Sequence, residues 1–302
     1  MIEKKLRLSI RDLDYLRQLA IDKNFTTAAK ECMVSQPTLS TQIKKIEEHL
    51  GVTIFERDNK NVLITPIGER IIAQANRVLA SANQLHTIAM TDENPYVGPY
   101  QLGIIPTLSS YILPHIFEPI KNELKQLNMV IHEEQQSFLL QKLADGALDA
   151  VIISGTVGQD SAFKQKHLFR EPLSLICSHR NKRVKRSTVE TKDLIHEKIL
   201  LLDNDQCLRS RVINVLNVKT HQLIQNNCLS HLESVKTLVE ADQGVSVFPK
   251  LATHTLAKSV DVIDFHDSVG AYRDIYMVSR NRNIRKLCYE RLYKLIKEHT
   301  PL

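Results

Sequence analysis

The chain has 302 residues, 43% of them apolar and 25% charged, with a formal net charge of +6. That composition supports about two folded domains and excludes disorder as the main state. No window reaches the ~18 uncharged apolar residues of a membrane span, no apolar run follows Met1 to Lys5 as a secretory leader requires, and the five cysteines contain no CxxC pair, which argues against a zinc site or disulfide scaffold and fits a reducing cytoplasm.

The positive excess is spread out. Residues 1–90 carry 13 Lys/Arg against 10 Asp/Glu, a net of +3, which leaves +3 for the remainder. With no basic tail, a polyanionic partner must be met by a folded surface.

Residues 1–65 read as short helices joined by tight turns. Ser9 caps the first, with Asp12 as a weak capping-box partner, and Leu13, Leu16, Leu19 and Ala20 recur at helical spacing. Lys23-Asn24 stops it, since Asn tolerates the left-handed conformation. Thr26 is expected to cap a second helix from Thr27 to Cys32. Ser35 caps a third, whose first turn holds Gln36, Pro37 and Thr38. Proline fits there because its missing N–H would be unpaired anyway. Leu39, Ile43, Ile46 and Leu50 form its apolar stripe and Gly51 ends it. Thr53–Arg57 and Val62–Thr65 then form a small hairpin, or wing.

From Thr65-Pro66 to about residue 90 the 3.6 period persists through Ile67, Ile71, Ile72, Ala75, Val78, Leu79, Ala82, Leu85 and Ile88. A helix of this length, ~36 Å at 1.5 Å per residue, with so apolar a side needs a partner helix, expected from a second subunit. Residues 91–99 form a Pro/Gly hinge. Beyond it, strand-like Gln101–Ile105, Met129–Glu133 and Asp149–Ser154 alternate with helical Tyr111–Leu127 and Phe138–Asp145. A second set follows at Leu173–Cys177, Ile199–Leu202, Leu208–Val218, Leu232–Ala241 and Val245–Phe248, with a last helix at Ile284–His299. The alternation predicts an α/β domain of two similar lobes over residues 100–302.

The second and third short helices form a helix-turn-helix arrangement, whose second member enters the major groove by its N-terminal end. Its outward residues suit base and phosphate contacts: Ser35, Gln36, Pro37, Thr38, Ser40, Thr41 and Lys44. Gln bonds adenine bidentately and Ser or Thr bonds bases or phosphates. Lys44, Lys45 and the wing residues Arg57 and Lys60 belong near the phosphate backbone. Periodicity alone leaves open that Ser35, Thr38 and Ser40 are only caps and surface residues.

The runs Phe25-Thr26-Thr27-Ala28-Ala29-Lys30, Val34-Ser35-Gln36-Pro37-Thr38-Leu39-Ser40-Thr41-Gln42-Ile43, Glu47, Leu50-Gly51-Val52, Ile54-Phe55-Glu56-Arg57 and Leu63-Ile64-Thr65-Pro66-Ile67-Gly68 resemble the LysR-type transcriptional regulators. The match covers the whole winged N-terminal domain. Residues 102–107, 146–152 and 244–249 also sit at family-typical places. The resemblance implies a winged helix-turn-helix, an antiparallel linker-helix pair and a two-lobed, periplasmic-binding-protein-like effector domain. Its implied partners are operator DNA, one or three further copies of the chain, RNA polymerase, and a small oxidant or small polar ligand in the inter-lobe cleft.

In the effector half, Thr107 follows a strand and opens a helix, where α/β folds collect ligands. Gln136 and Ser137 end the next strand and are expected to face the cleft. Cys32, Cys177 and Cys288 read as packing residues. Cys207 follows the apolar run Ile199–Leu202, with Asn204 or Asp205 able to cap a helix and place it in the first turn, near Arg209 and Arg211. That position favours a thiolate. The residues alone leave a redox thiol and a packing role both open.

This half resembles the hydrogen-peroxide-sensing OxyR branch of the LysR family, through Gly103 to Thr107, Tyr111 to Ile116, His132-Glu133, Gln135, Leu168-Phe169, Glu171-Pro172, Cys207-Leu208-Arg209, Leu232-Glu233 and Arg280. The resemblance implies Cys207 as the peroxide-reactive position, with Thr107 and Arg280 as cleft residues that orient peroxide and thiol. It also marks departures. The resolving cysteine falls on Leu216, a hydroxyl-bearing cleft residue on Gln136, the histidine before the reactive cysteine on Gln206, and an acidic residue on Ser210. Cys228 is a substitute partner only if its Cα comes within ~7 Å of that of Cys207. The rival classes are a thiol-dependent enzyme, against which no cofactor or metal motif is found, and a regulator that binds a small polar metabolite without thiol chemistry.

Overall fold

A computed structural model describes residues 8–58, 61–158, 162–181, 188–202, 206–216, 229–266 and 270–302. The chain divides into two compact units, Met1–Asp92 with Asp145–Ala147, and Glu93–Ala144 with Leu148–Leu302.

The first unit opens with α1 (Ile10–Asp22). The expected capping box is present: Ser9 Oγ accepts from the Asp12 N–H at 3.2 Å, and Asp12 Oδ2 accepts from the Ser9 N–H at 2.9 Å. The left-handed residue that ends α1 is Lys23, at φ 48°. Asn24, expected to stop that helix, instead caps the next one, α2 (Phe25–Glu31), by accepting from the Thr26 and Thr27 N–H groups at 2.9 and 3.1 Å. This displaces Thr26 from the cap. An Asx carboxamide oxygen reaches the second and third amides of a helix, so the helix begins at Phe25 rather than Thr27.

α3 (Gln36–Leu50) is capped by Ser35 and closed by Gly51 at φ 71°, both as expected. Leu39, Ile43 and Ile46 bury its inner face against α1 and α2. The wing is β1 (Phe55–Asp58) paired antiparallel with β2 (Asn61–Ile64). Glu47 ties it to α3, with one carboxylate oxygen accepting from the Ile54 and Phe55 N–H groups at 2.7 and 3.0 Å. α4 (Pro66–Thr91) follows. Thr65 accepts from the Gly68 N–H at 3.0 Å and donates to the Thr53 carbonyl at 2.8 Å. Gly68 is required where it stands, since a Cβ there would lie 2.4 Å from the Ile54 carbonyl oxygen.

The second unit contains β3 (Gly98–Ile104), α5 (Pro106–Glu123), β4 (Leu127–Glu133), α6 (Gln136–Ala144), β5 (Ala150–Ser154), β6 (Phe163–Ser178), β7 (Thr188–Val189), α7 (Gln206–Leu216), α8 (Leu232–Glu240), β8 (Ser246–Pro249), α9 (Lys250–Thr253), β9 (Val260–Phe265), β10 (Tyr272–Arg280) and α10 (Lys286–His299). The strand order is β4-β3-β5-β10-β6-β9-β7, with β8 also on β6. β3, β4 and β5 run parallel, whereas β10 is antiparallel to both β5 and β6. β6 pairs with β10 along its first half and with β8 and β9 along its second. Two lobes result, joined by β6 and β10.

Two expectations change in this unit. α5 begins at Pro106 rather than Tyr111, because proline suits a first turn. Ile199–Leu202 forms no strand among the described residues, only single bridges from Ile199 to Val245 and from Leu202 to Leu229. The crossover pair was only partly visible in the sequence: the adjacent charges Arg273 and Asp274 interrupt β10 near its start, and the first half of β6 is largely polar.

Candidate DNA-reading surface and effector cleft

Ser35, Gln36, Pro37, Thr38, Thr41 and Lys44 are exposed at the start of α3, with Ser40 partly so. Several of the hydroxyls serve the helix itself. Ser35 Oγ lies 2.7 Å from Thr38 Oγ1 and accepts from the Thr38 N–H, while Thr41 donates to the Pro37 carbonyl at 2.8 Å. Gln36 and Lys44 are the long side chains that project from this end, Lys44 with Glu48 at 3.8 Å on the exposed face. Arg57 lies on β1, and Lys60 lies outside the described residues.

In the second unit, a cleft of about 590 Å³ is lined by Cys207, Ser210, Arg211 and Asn214 of α7. Ser154, Gly155 and Thr156 line it from the end of β5, and Tyr272, Arg273, Asp274 and Tyr276 from β10. Cys207 stands in the first turn of α7, half-buried and in no disulfide. Arg273 is 3% exposed and ties the cleft wall to both lobes. Its Nε donates to the wholly buried Glu171 at 2.7 Å, and its Nη1 and Nη2 donate to Thr107 Oγ1 and the Thr107 carbonyl at 2.9 and 3.0 Å. The other Glu171 oxygen accepts from the Leu251 N–H at 2.9 Å. A chain of hydrogen bonds therefore runs from the start of α5 through β10 and β6 to α9. Burial requires this saturation, because an unpaired buried charge is costly.

At the rim, the Tyr272 ring lies between two guanidinium groups, Arg170 at 3.8 Å and Arg211 at 4.7 Å. Asp274 accepts from Arg170 at 2.9 and 3.2 Å and sits 3.1 Å from His167. Burial pushes its carboxyl up, but the bonds from Arg170 and His167 together outweigh this and hold it below the ordinary value.

The residues expected around Cys207 are only partly brought together. Thr107 does not line the cleft; it stands behind Arg273, which takes up its hydroxyl. Arg280 does not line it either. It lies four residues beyond Tyr276 along β10, roughly 13 Å at strand rise, and its Nη1 bonds the carbonyls of Leu143 and Leu148 at 2.7 and 2.5 Å. Gln136 opens α6 away from the cleft lining, its Oε1 buried without a hydrogen-bond partner among the described residues. Gln206 opens α7, and Cys228 lies outside the described residues. Leu216 is packed in the core in the last turn of α7. The residue that sequence reasoning missed is Arg273. Its signal was an arginine inside an alternating apolar run, which on a strand demands a buried carboxylate.

The first unit matches the bacterial regulatory helix-turn-helix family of LysR over residues 10–69, and the second the LysR substrate binding domain over residues 94–301. The chain is 33% identical over 297 residues to the hydrogen peroxide-inducible genes activator of Dickeya chrysanthemi, covering 98% of this chain and 97% of that protein. It is 36% identical over 245 residues to the DNA-binding transcriptional dual regulator OxyR of Escherichia coli K12, covering 81% of this chain and 80% of the relative. The chain belongs to the LysR family. Within it, it is an OxyR-like regulator: the full-length OxyR of Pseudomonas aeruginosa superposes with a TM-score of 0.73 at 31% identity, over 97% of this chain and 99% of that one.

LysR regulators bind DNA and oligomerise. In this chain α4 leaves Val78, Leu85, Ile88 and Met90 exposed, Leu85 to 70%. The remaining described thiols behave as packing residues. Burial pushes Cys177 up to about 11 and Cys288 up to about 12, and burial with Asp14 nearby raises Cys32. No described helix is long and apolar enough to cross a membrane.

Proposed function

We propose that this OxyR-like regulator is a cytoplasmic, DNA-binding homodimer or homotetramer, and not an enzyme, that responds to hydrogen peroxide through Cys207. The observation that carries the reading is Cys207 in the first turn of α7, in the same cleft wall as the buried Arg273. A helix start and a nearby guanidinium are surroundings that favour thiolate. The thiolate attacks one peroxide oxygen, the O–O bond breaks, and the departing hydroxide takes a proton to leave water and a Cys207 sulfenic acid. Arg273 then meets a changed neighbour while still bonded to Thr107 and Glu171, which links the event to the angle between the lobes. That angle sets how two α3 helices, paired through α4, sit on successive major grooves of an operator and present the complex to RNA polymerase. Gln36 reads bases; Lys44, Arg57 and Lys60 meet phosphates.

The cleft volume favours a second reading, a regulator of the same class that binds a small polar metabolite without thiol chemistry, because peroxide alone fills little of about 590 Å³. Cys207→Ser separates the two. Under the thiol reading the peroxide-dependent change in promoter footprint and transcription disappears; an unchanged response ends it. Selection of binding sites from random duplexes tests the DNA half. Gln36→Ala is expected to alter the selected sequence at one base pair, worth about 1–3 kcal/mol, whereas Lys44→Ala weakens all duplexes alike and lowers the salt slope by about 1.

A further inference from the structure

One residue governs how the chain passes from α3 to the wing. The main-chain carbonyl of Glu47 accepts from the Gly51 and Val52 N–H groups at 2.8 and 3.2 Å, which closes the helix. Its carboxylate then accepts from the Ile54 and Phe55 N–H groups, at the root of β1. The carbonyls at this root are held too. That of Ile54 accepts from the Thr65 N–H at 3.0 Å, and that of Thr53 from the Thr65 hydroxyl at 2.8 Å. The wing root is thus gripped by α3 on its amides and by the cap of α4 on its carbonyls. A carboxylate in the last turn of α3 is disfavoured by the helix dipole, and it adds negative charge to a unit that is to meet polyanionic DNA. Against both stands its bonding. Ile54 and Phe55 are buried, their N–H groups need an acceptor, and an ionised acceptor bonds about twice as strongly as a neutral one.

Resting on the reading that the wing meets a DNA phosphate through Arg57, we propose that Glu47 is a positioning residue for DNA binding. Its carboxylate fixes the wing to the reading helix, so that the wing reaches its phosphate in the same docking that places the start of α3 in the major groove. Glu47 itself touches no DNA. Its loss weakens every duplex alike, because phosphate contacts carry no sequence information, and leaves the base preference of Gln36 as it was.

The test is a double-mutant cycle in the full-length protein, with affinity for selected and random duplexes read by fluorescence anisotropy across a salt series. Glu47→Ala is compared with Glu47→Gln, since both lack the charge and only Gln keeps the acceptor oxygen. Glu47→Ala is expected to bind every duplex about tenfold more weakly than Glu47→Gln, with a salt slope lower by about 1, the size of one phosphate contact. With Arg57→Ala added to both, the difference shrinks to less than about twofold, because the contact is already gone. A loss through general destabilisation would instead persist beside Arg57→Ala. Should Glu47→Ala not fold, Glu47→Asp carries the same cycle against the native chain, keeping the charge and withdrawing the acceptor by one methylene. Equal affinity and slope for the Ala and Gln variants, or a difference undiminished by Arg57→Ala, overturns the positioning role and leaves the wing reading standing. An unchanged salt slope in Arg57→Ala alone overturns both.

Discussion

Two helices of this chain begin with the side chains proposed for its function in the first turn, and they are built by opposite means. α3 is a local construction: its cap, Ser35, its proline and its exposed polar residues lie within a few positions of one another, and its closing Gly51 is sixteen residues after Ser35. α7 is a long-range one. Cys207 shares its cleft with Arg273, which is held by Thr107 and Glu171, residues 166 and 102 positions from Arg273 along the chain. An exposed reading surface needs only a stable helix. A cleft needs several distant strands to deliver single side chains to one place.

The sharpest way to break this contrast is to remove Arg273. Arg273→Ala takes from the buried Glu171 carboxyl its guanidinium partner and leaves it the Leu251 N–H, and losing one partner of such a pair costs about 3–5 kcal/mol. Denaturant unfolding of the full chain should show the loss in the second unit, with the transition of the first unit unmoved. Because two buried charges also carry a desolvation cost, Arg273→Met with Glu171→Leu should lose less than Arg273→Ala alone. A loss below about 1 kcal/mol for Arg273→Ala would mean that the lobes do not depend on this tie.

The same contrast explains what could be read in the sequence. The capping box at Ser9, the cap at Ser35, the αL Gly51 and the period of α4 are short-range signals, and all appear in the structure. Errors near them were local. Asn24 and Thr26 are both competent caps, and only the folded chain shows that Asn24 takes the role. In the second unit the βα alternation was legible, but β10 was not, since Arg273 and Asp274 interrupt its apolar pattern. The cleft inherited that gap. Arg280 was matched to it by resemblance, whereas the guanidinium groups that line it belong to Arg211 and to Arg273, the latter on a strand the pattern did not reveal.

A second comparison sharpens the first, between the cleft thiol and the buried ones. Cys177 and Cys288, pushed up to about 11 and about 12 from 9.0 by burial, hold roughly 100-fold and 1,000-fold less thiolate than an unperturbed thiol at pH 8. Timed alkylation of the native protein should therefore modify Cys207 well before either, and reach them only with unfolding. The linkage sign follows. An acid whose folded pKa is raised contributes stability that is whole below the unfolded value of 9.0 and is lost as pH rises toward the folded one. Cys288→Ala should accordingly flatten the fall in stability above pH 9, while Cys207→Ser should leave it in place. Early alkylation of Cys288 at pH 8 would show that α10 opens more readily than its packing suggests.

The smallest expected effect tests the local half, at the turn between α2 and α3. Met33 sits there at φ 54° and is 91% exposed, a left-handed conformation that costs a residue with a Cβ roughly 1–2 kcal/mol. Its N–H still donates to the Lys30 carbonyl at 3.0 Å, so the backbone holds the turn without help from the side chain. Met33→Gly removes the strain and almost no packing, while the freer unfolded chain offsets about 0.5–1 kcal/mol. The net expectation is a gain of about 0.5 kcal/mol, seen as a small rise in the melting temperature of the first unit, with duplex affinity unchanged. A loss of affinity without a loss of stability would instead place the Met33 side chain on the DNA and make the turn, as well as the start of α3, part of the reading surface.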